Sequence, residues 1–187
     1  MKNAILISIR PEWLRKILNG EKTVEIRKTK PTIDLPFKCY IYCTLGKEIL
    51  AYSEYCGYDM QDFRDDFIAN GKIVAEFTCY GIRSIHAEEF IILEDAEHAL
   101  RGSGLTPEEA KKYAGWKRGS YRFECKPLYG WCISDLKIYD KRKELKDFVQ
   151  CHKCELHDRC KDHEYSCDGS YRLKMPPQSW CYVEDFC

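Results

Sequence analysis

Gly20-Glu21-Lys22-Thr23-Val24-Glu25-Ile26-Arg27 decides how this chain is read. The ten residues before Glu21, Pro11 to Gly20, read as a helix, with Pro in its first turn and Gly at its end. Trp13, Leu14, Ile17 and Leu18 fall on one face of that helix. Beyond the glycine the pattern changes period: Val24 and Ile26 point one way and Glu25 and Arg27 the other, as in a short strand. The sequence therefore predicts a helix, a sharp stop and a strand whose charged side chains share a face. As composition alone, three alternating charges describe a solvated turn with surface ion pairs. As chemistry, Lys22 and Arg27 offer contacts to phosphate, Arg27 with a fork that binds two oxygens or stacks on a base. Glu25 is suited to orienting them or to accepting from a base edge.

Working outward, Ala4 to Ile9 is a short apolar strand. Phe37 to Thr44 and Lys72 to Cys79 alternate as barrel-wall strands, and Tyr129 to Tyr139 is another. Ser179 to Glu184 closes the series after Pro176-Pro177. Thr106-Pro107-Glu108-Glu109 is a capping box that predicts a helix from Pro107 to about Ala114. Residues 45–71 read as an acidic insertion, and Lys141 to Lys146 as a charged exit. Gly115 to Gly119 is a basic loop in which Trp116 sits beside Lys117 and Arg118, the aromatic and cationic mixture that single-stranded RNA recognition uses. His86 and His98 read as surface residues.

In sequence order and position, Gly-x-Lys-x-x-Glu-x-Arg after an amphipathic helix resembles the signature of the ASCH family. Ser8-Ile9-Arg10-Pro11 with Trp13, Gly71 to Phe77, Trp131 to Tyr139 and Pro176 to Glu184 extend the resemblance to bacterial and phage-type ASCH proteins. It covers about residues 4–148 and 175–184. The resemblance implies an α+β, PUA-like small β-barrel with flanking helices, and an RNA-related role. It divides the chain into a barrel over 1–148, a cysteine-rich lobe over 149–174 and a closing strand over 175–187. The expected function is binding of single-stranded RNA or a nucleotide in a cleft around Lys22, Glu25 and Arg27, with Gln178 and Trp180 as neighbours.

One bacterial branch of the family hydrolyses an acetylated cytidine nucleoside with a Thr, a Lys and a Glu. The lysine is kept as Lys22, but Glu25 stands at the place of the threonine nucleophile. In a hydrolase, Glu25 would activate water while Lys22 stabilised developing charge, and Glu76 would contribute from a neighbouring strand. Ribonuclease chemistry at the same cleft is a variant of this reading, and a protein-interaction adaptor is a third.

The formal net charge is zero, so bulk electrostatics promise no attraction to nucleic acid or membrane. The balance is uneven along the chain. Residues 1–50 hold ten Lys/Arg against five Asp/Glu, residues 51–100 hold three against eleven, and residues 101–150 hold twelve against seven. Two basic stretches flank an acidic middle. With 44% hydrophobic and 32% charged residues the chain is built to fold. No stretch is long and apolar enough to span a bilayer and no export signal is evident, so a cytoplasmic setting without a membrane partner is expected.

In that setting the twelve cysteines are expected to stay reduced. Most are dispersed, but Cys151, Cys154, Cys160 and Cys167 are packed together, with His157 and His163 between them. A CxxC pair with two further thiols nearby predicts a structural zinc site, in which either histidine is an alternative to a thiol.

Overall fold

The computed structural model describes residues 3–51, 68–116, 125–149 and 172–185. The strands are β1 (Asn3–Ile9), β2 (Val24–Arg27), β3 (Phe37–Cys43), β4 (Ile73–Ile85), β5 (Leu128–Lys143) and β6 (Trp180–Glu184). They form a six-stranded mixed sheet in the order β2-β5-β4-β3-β1-β6. The helices are α1 (Pro11–Leu18), α2 (Leu93–Ala99) and α3 (Pro107–Ala114). This is the α+β arrangement with flanking helices that the sequence implied.

Two compact units emerge from this topology. The first comprises Met1–Leu14, Phe37–Phe77 and Lys137–Cys187. Within it β1 runs parallel to β3, with Ile7 opposite Ile41, and antiparallel to β6, with Ile5 opposite Tyr182. β1 is buried at every position from Ala4 to Ile9, so both of its faces are covered, which is why the sequence there is apolar but for Ser8. Leu6, Tyr40, Phe148 and Val183 anchor the core, and the Tyr40 and Phe148 rings meet edge to face at 4.9 Å.

The second unit comprises Arg15–Pro36 and Thr78–Leu136. β2 pairs antiparallel with β5, placing Glu25 opposite Trp131 and Arg27 opposite Tyr129. Val24, Ile26, Phe90, Ala96 and Ala110 are among its core residues. α3 starts as the sequence required: Thr106 Oγ1 accepts from the Glu109 amide at 3.2 Å, Glu109 Oε2 accepts from the Thr106 amide at 2.9 Å, and Gly115 closes the helix at φ +80°.

The structure also departs from the pattern reading. β4 and β5 run on to Ile85 and Lys143, past the ends expected at Cys79 and Tyr139. Tyr80-Gly81 looks like punctuation and the Lys/Arg/Asp run after Tyr139 looks like an exit, yet sheet pairing carries both strands through. α2 was not foreseen, because its inward positions are the weakly apolar Ala96 and Ala99 and its N-cap has no side-chain capping bond. Among the described residues, no helix is long and apolar enough to cross a membrane. Most of the expected acidic insertion lies outside the described residues.

Candidate functional site

The site begins where α1 stops. Gly20, at φ +77°, turns the chain and donates to Ile17 O at 3.0 Å. The Lys22 amide donates back to Lys16 O at 2.9 Å. The next two amides, of Thr23 and Val24, both donate to Gly102 O at 2.8 and 2.9 Å, seating the turn at 101–104 on the start of β2. Gly102 itself is at φ +77°, and a Cβ there would stand 2.4 Å from Thr23 Oγ1, so only glycine fits this approach.

Lys22 reaches into that junction. Its ammonium donates to Ser103 O at 2.5 Å and to Val24 O at 2.9 Å, and stands 3.3 Å from Glu25 Oε2. Two of the ammonium donors are thus held by backbone carbonyls, while the approach to Glu25 is an ion pair. Glu25 Oε1 then meets Arg27 Nη2 at 3.0 Å. The two-residue period had placed Glu25 and Arg27 on one face, and the structure joins them there. The whole trio is buried: the side chains of Lys22, Glu25 and Arg27 keep only 2%, 9% and 8% of their surface open. Burial pushes the Lys22 pKa below that of an ordinary lysine, with Glu25 pulling against the shift. Trp131, opposite Glu25 on β5 and wholly buried, shares the face.

Past the end of β2 two basic residues meet aromatic rings. Lys28 and Lys30 are exposed just beyond Arg27. The Lys28 ammonium lies 5.1 Å from the Tyr113 ring centroid and that of Lys30 lies 5.5 Å from Tyr129. Neither tyrosine, nor either lysine, stood out in the sequence.

Other expected residues have different surroundings. Trp116 is a packing residue of the second unit: its indole N–H donates to Lys126 O at 3.1 Å and its ring meets Phe90 edge-on at 4.9 Å. Glu76, in the first unit, accepts from the Tyr139 hydroxyl at 2.6 Å. Gln178, also in the first unit, is exposed, and Trp180 stacks edge to face with Tyr182 at 5.4 Å. Lys117, Arg118, Cys151, Cys154, Cys160, Cys167, His157 and His163 lie outside the described residues. His86 and His98 are exposed, as expected.

Sequence reasoning missed the partners of the trio. Arg101-Gly102-Ser103-Gly104 carries a turn signal, but nothing in it points to a lysine 81 residues earlier in the chain. Arg83 was missed too. Its Nη2 donates to Arg101 O at 2.7 Å and so fastens the same turn.

No protein-family model matches the sequence. No curated protein matches it either. Solved structures do. A crystal structure of a tyrosine-to-phenylalanine variant of an ASCH protein from Zymomonas mobilis aligns over 97% of this chain and 90% of its own, at 14% identity and a TM-score of 0.53. A serine-to-alanine variant of the same protein aligns over 97% and 88%, at 14% identity and a TM-score of 0.54.

Proposed function

With the ASCH fold in place, we propose that this chain binds single-stranded RNA, or a nucleotide from it, at the end of β2, where Arg27 and the exposed Lys28 and Lys30 follow Glu25. The observation that carries this reading is the buried, connected row Lys22–Glu25–Arg27. Removing three charges from water is unfavourable, and apolar residues of similar volume would often hold a strand edge as well. Such a cluster is therefore better explained by a task than by stability.

The division of labour follows from exposure. Lys22 is a positioning residue, because its ammonium is buried and donates to Ser103 O and Val24 O. Arg27 and Glu25 keep 8% and 9% of their side-chain surface open, against 2% for Lys22, and hold the end of β2 from which the exposed lysines follow. Lys28 and Lys30 supply phosphate contacts, and Tyr113 and Tyr129 supply rings on which bases stack. A hydrolytic role at the same residues is the second reading. It is favoured by one observation, the lowered pKa of Lys22 beside a carboxylate, which is a common arrangement in acid–base chemistry.

The test is fluorescence-anisotropy titration of a short single-stranded RNA at two salt concentrations, with native protein, Arg27→Ala and Lys28→Ala/Lys30→Ala, followed by a check of RNA integrity. Binding that weakens with salt and in both variants, with intact RNA, is expected. Cleaved RNA would favour the hydrolase. Absence of binding by the native protein would sink the proposal.

We also propose that Cys151, Cys154, Cys160 and Cys167 hold a structural zinc, the donor set being that of a closed tetrahedral site. Elemental analysis of protein purified without added metal should find about one zinc per chain, and a chelator should lower its thermal stability. Metal-free protein of unchanged stability would refute this.

A further inference from the structure

Three consecutive apolar side chains stand in solvent between the 3₁₀ turn Ala87–Phe90 and α2. Ile91, Ile92 and Leu93 are 63%, 57% and 62% exposed. The segment that carries them is anchored. Phe90, just before it, packs edge-on against Trp116, and Ala96, Ala99 and Leu100, just after it, are buried in the core of the second unit. The Ile91 amide donates to Glu88 O at 3.1 Å, and the Ala96 amide to Ile92 O at 3.1 Å. The inward positions are thus filled, and Ile91 to Leu93 are turned outward on a fixed base. Together they present roughly 300 Å² of apolar surface, the scale of the largest patch on an ordinary monomer, which is often functional.

The charge around the patch says what fits it. Glu88 and Glu89 precede it and Glu94, Asp95 and Glu97 follow it, with no Lys or Arg from Ser84 to Leu100, so these five carboxylates outnumber Lys111, whose ammonium lies 5.9 Å from the Phe90 ring. That rim repels nucleic acid and anionic lipid. Pairing with the same patch on a second copy would set one acidic rim against another. We infer that Ile91, Ile92 and Leu93 form a docking surface for a short segment of another protein, one carrying apolar side chains flanked by Lys or Arg. The inference is independent of RNA binding, because it uses different residues with the opposite charge requirement.

Binding of a synthetic peptide of Lys-Leu-Leu-Lys repeats to the intact chain, measured by calorimetry, tests it. The native protein should bind, more weakly as salt rises. Ile92→Ser/Leu93→Ser and Glu94→Lys/Asp95→Lys should each weaken binding about tenfold or more while remaining folded, the first gaining an N-cap hydroxyl and the second losing first-turn carboxylates of α2, so that a shared loss of binding does not track stability. Three results would overturn the inference: unchanged affinity in the variants, equal binding of the same peptide with Glu in place of Lys, or a native dimer that Ile92→Ser/Leu93→Ser dissociates. The last would make a second copy the occupant.

Discussion

Two lysine–glutamate systems in this protein differ in a way that distance alone would rank backwards. In the first unit Lys72 meets both oxygens of Glu144 at 2.5 and 2.7 Å, with 25% and 42% of the side chains exposed. In the second unit Lys22 stands 3.3 Å from Glu25, with 2% and 9% exposed. The longer contact is the more consequential one. Around Lys72 water screens the charges and holds them nearly as well as the partner does. Around Lys22 little water remains, so each charge depends on its neighbours, and removing one strands the others.

The largest expected effect breaks the buried row. Glu25→Gln leaves Lys22 and Arg27 facing each other without their shared anion and should cost about 3–5 kcal/mol in chemical denaturation. A loss below about 1 kcal/mol would mean that the row is far better hydrated than its burial indicates.

A smaller effect sharpens the contrast through pH. The Lys22 pKa is lowered in the folded protein, so in the alkaline range below about 10.4 the unfolded chain binds the extra proton. Stability relative to Lys22→Met should therefore rise as pH climbs through the folded pKa toward that limit. A difference that stays flat or falls would contradict the assigned direction.

The smallest effect belongs to the exposed pair. Glu144 titrates below an ordinary glutamate because Lys72 hydrogen-bonds its carboxylate, so its contribution is present above the ordinary glutamate pKa and fades as pH falls through the lowered one. Glu144→Gln should cost less than about 1 kcal/mol, and less still in high salt. A loss matching that of Glu25→Gln would erase the distinction between the two systems.

What the sequence revealed follows the range of the interactions involved. The α1 stop at Gly20, the capping box at Thr106 and the shared face of Glu25 and Arg27 depend on neighbours within a few residues, and they were legible. The depth of the site was not. Composition favoured a solvated turn at Lys22 to Arg27, and only the fold brings Ser103, Gly102 and Trp131 against that segment. The Lys28–Tyr113 and Lys30–Tyr129 pairs were hidden for the same reason. Trp116 stood out for its basic neighbours, and its edge-to-face contact with Phe90 was hidden in the same way.

The central claim, that RNA binds at the end of β2 where the buried row gives way to exposed lysines, is tested most directly at Arg27 itself. The side-chain nitrogen–proton resonance of Arg27 is recorded by NMR with and without a short single-stranded RNA, using Arg142, which donates to Ile68 O in the first unit, as the internal reference. The account predicts that the Arg27 resonance shifts with RNA while that of Arg142 stays in place. An Arg27 resonance that does not move while the RNA is demonstrably bound would contradict it.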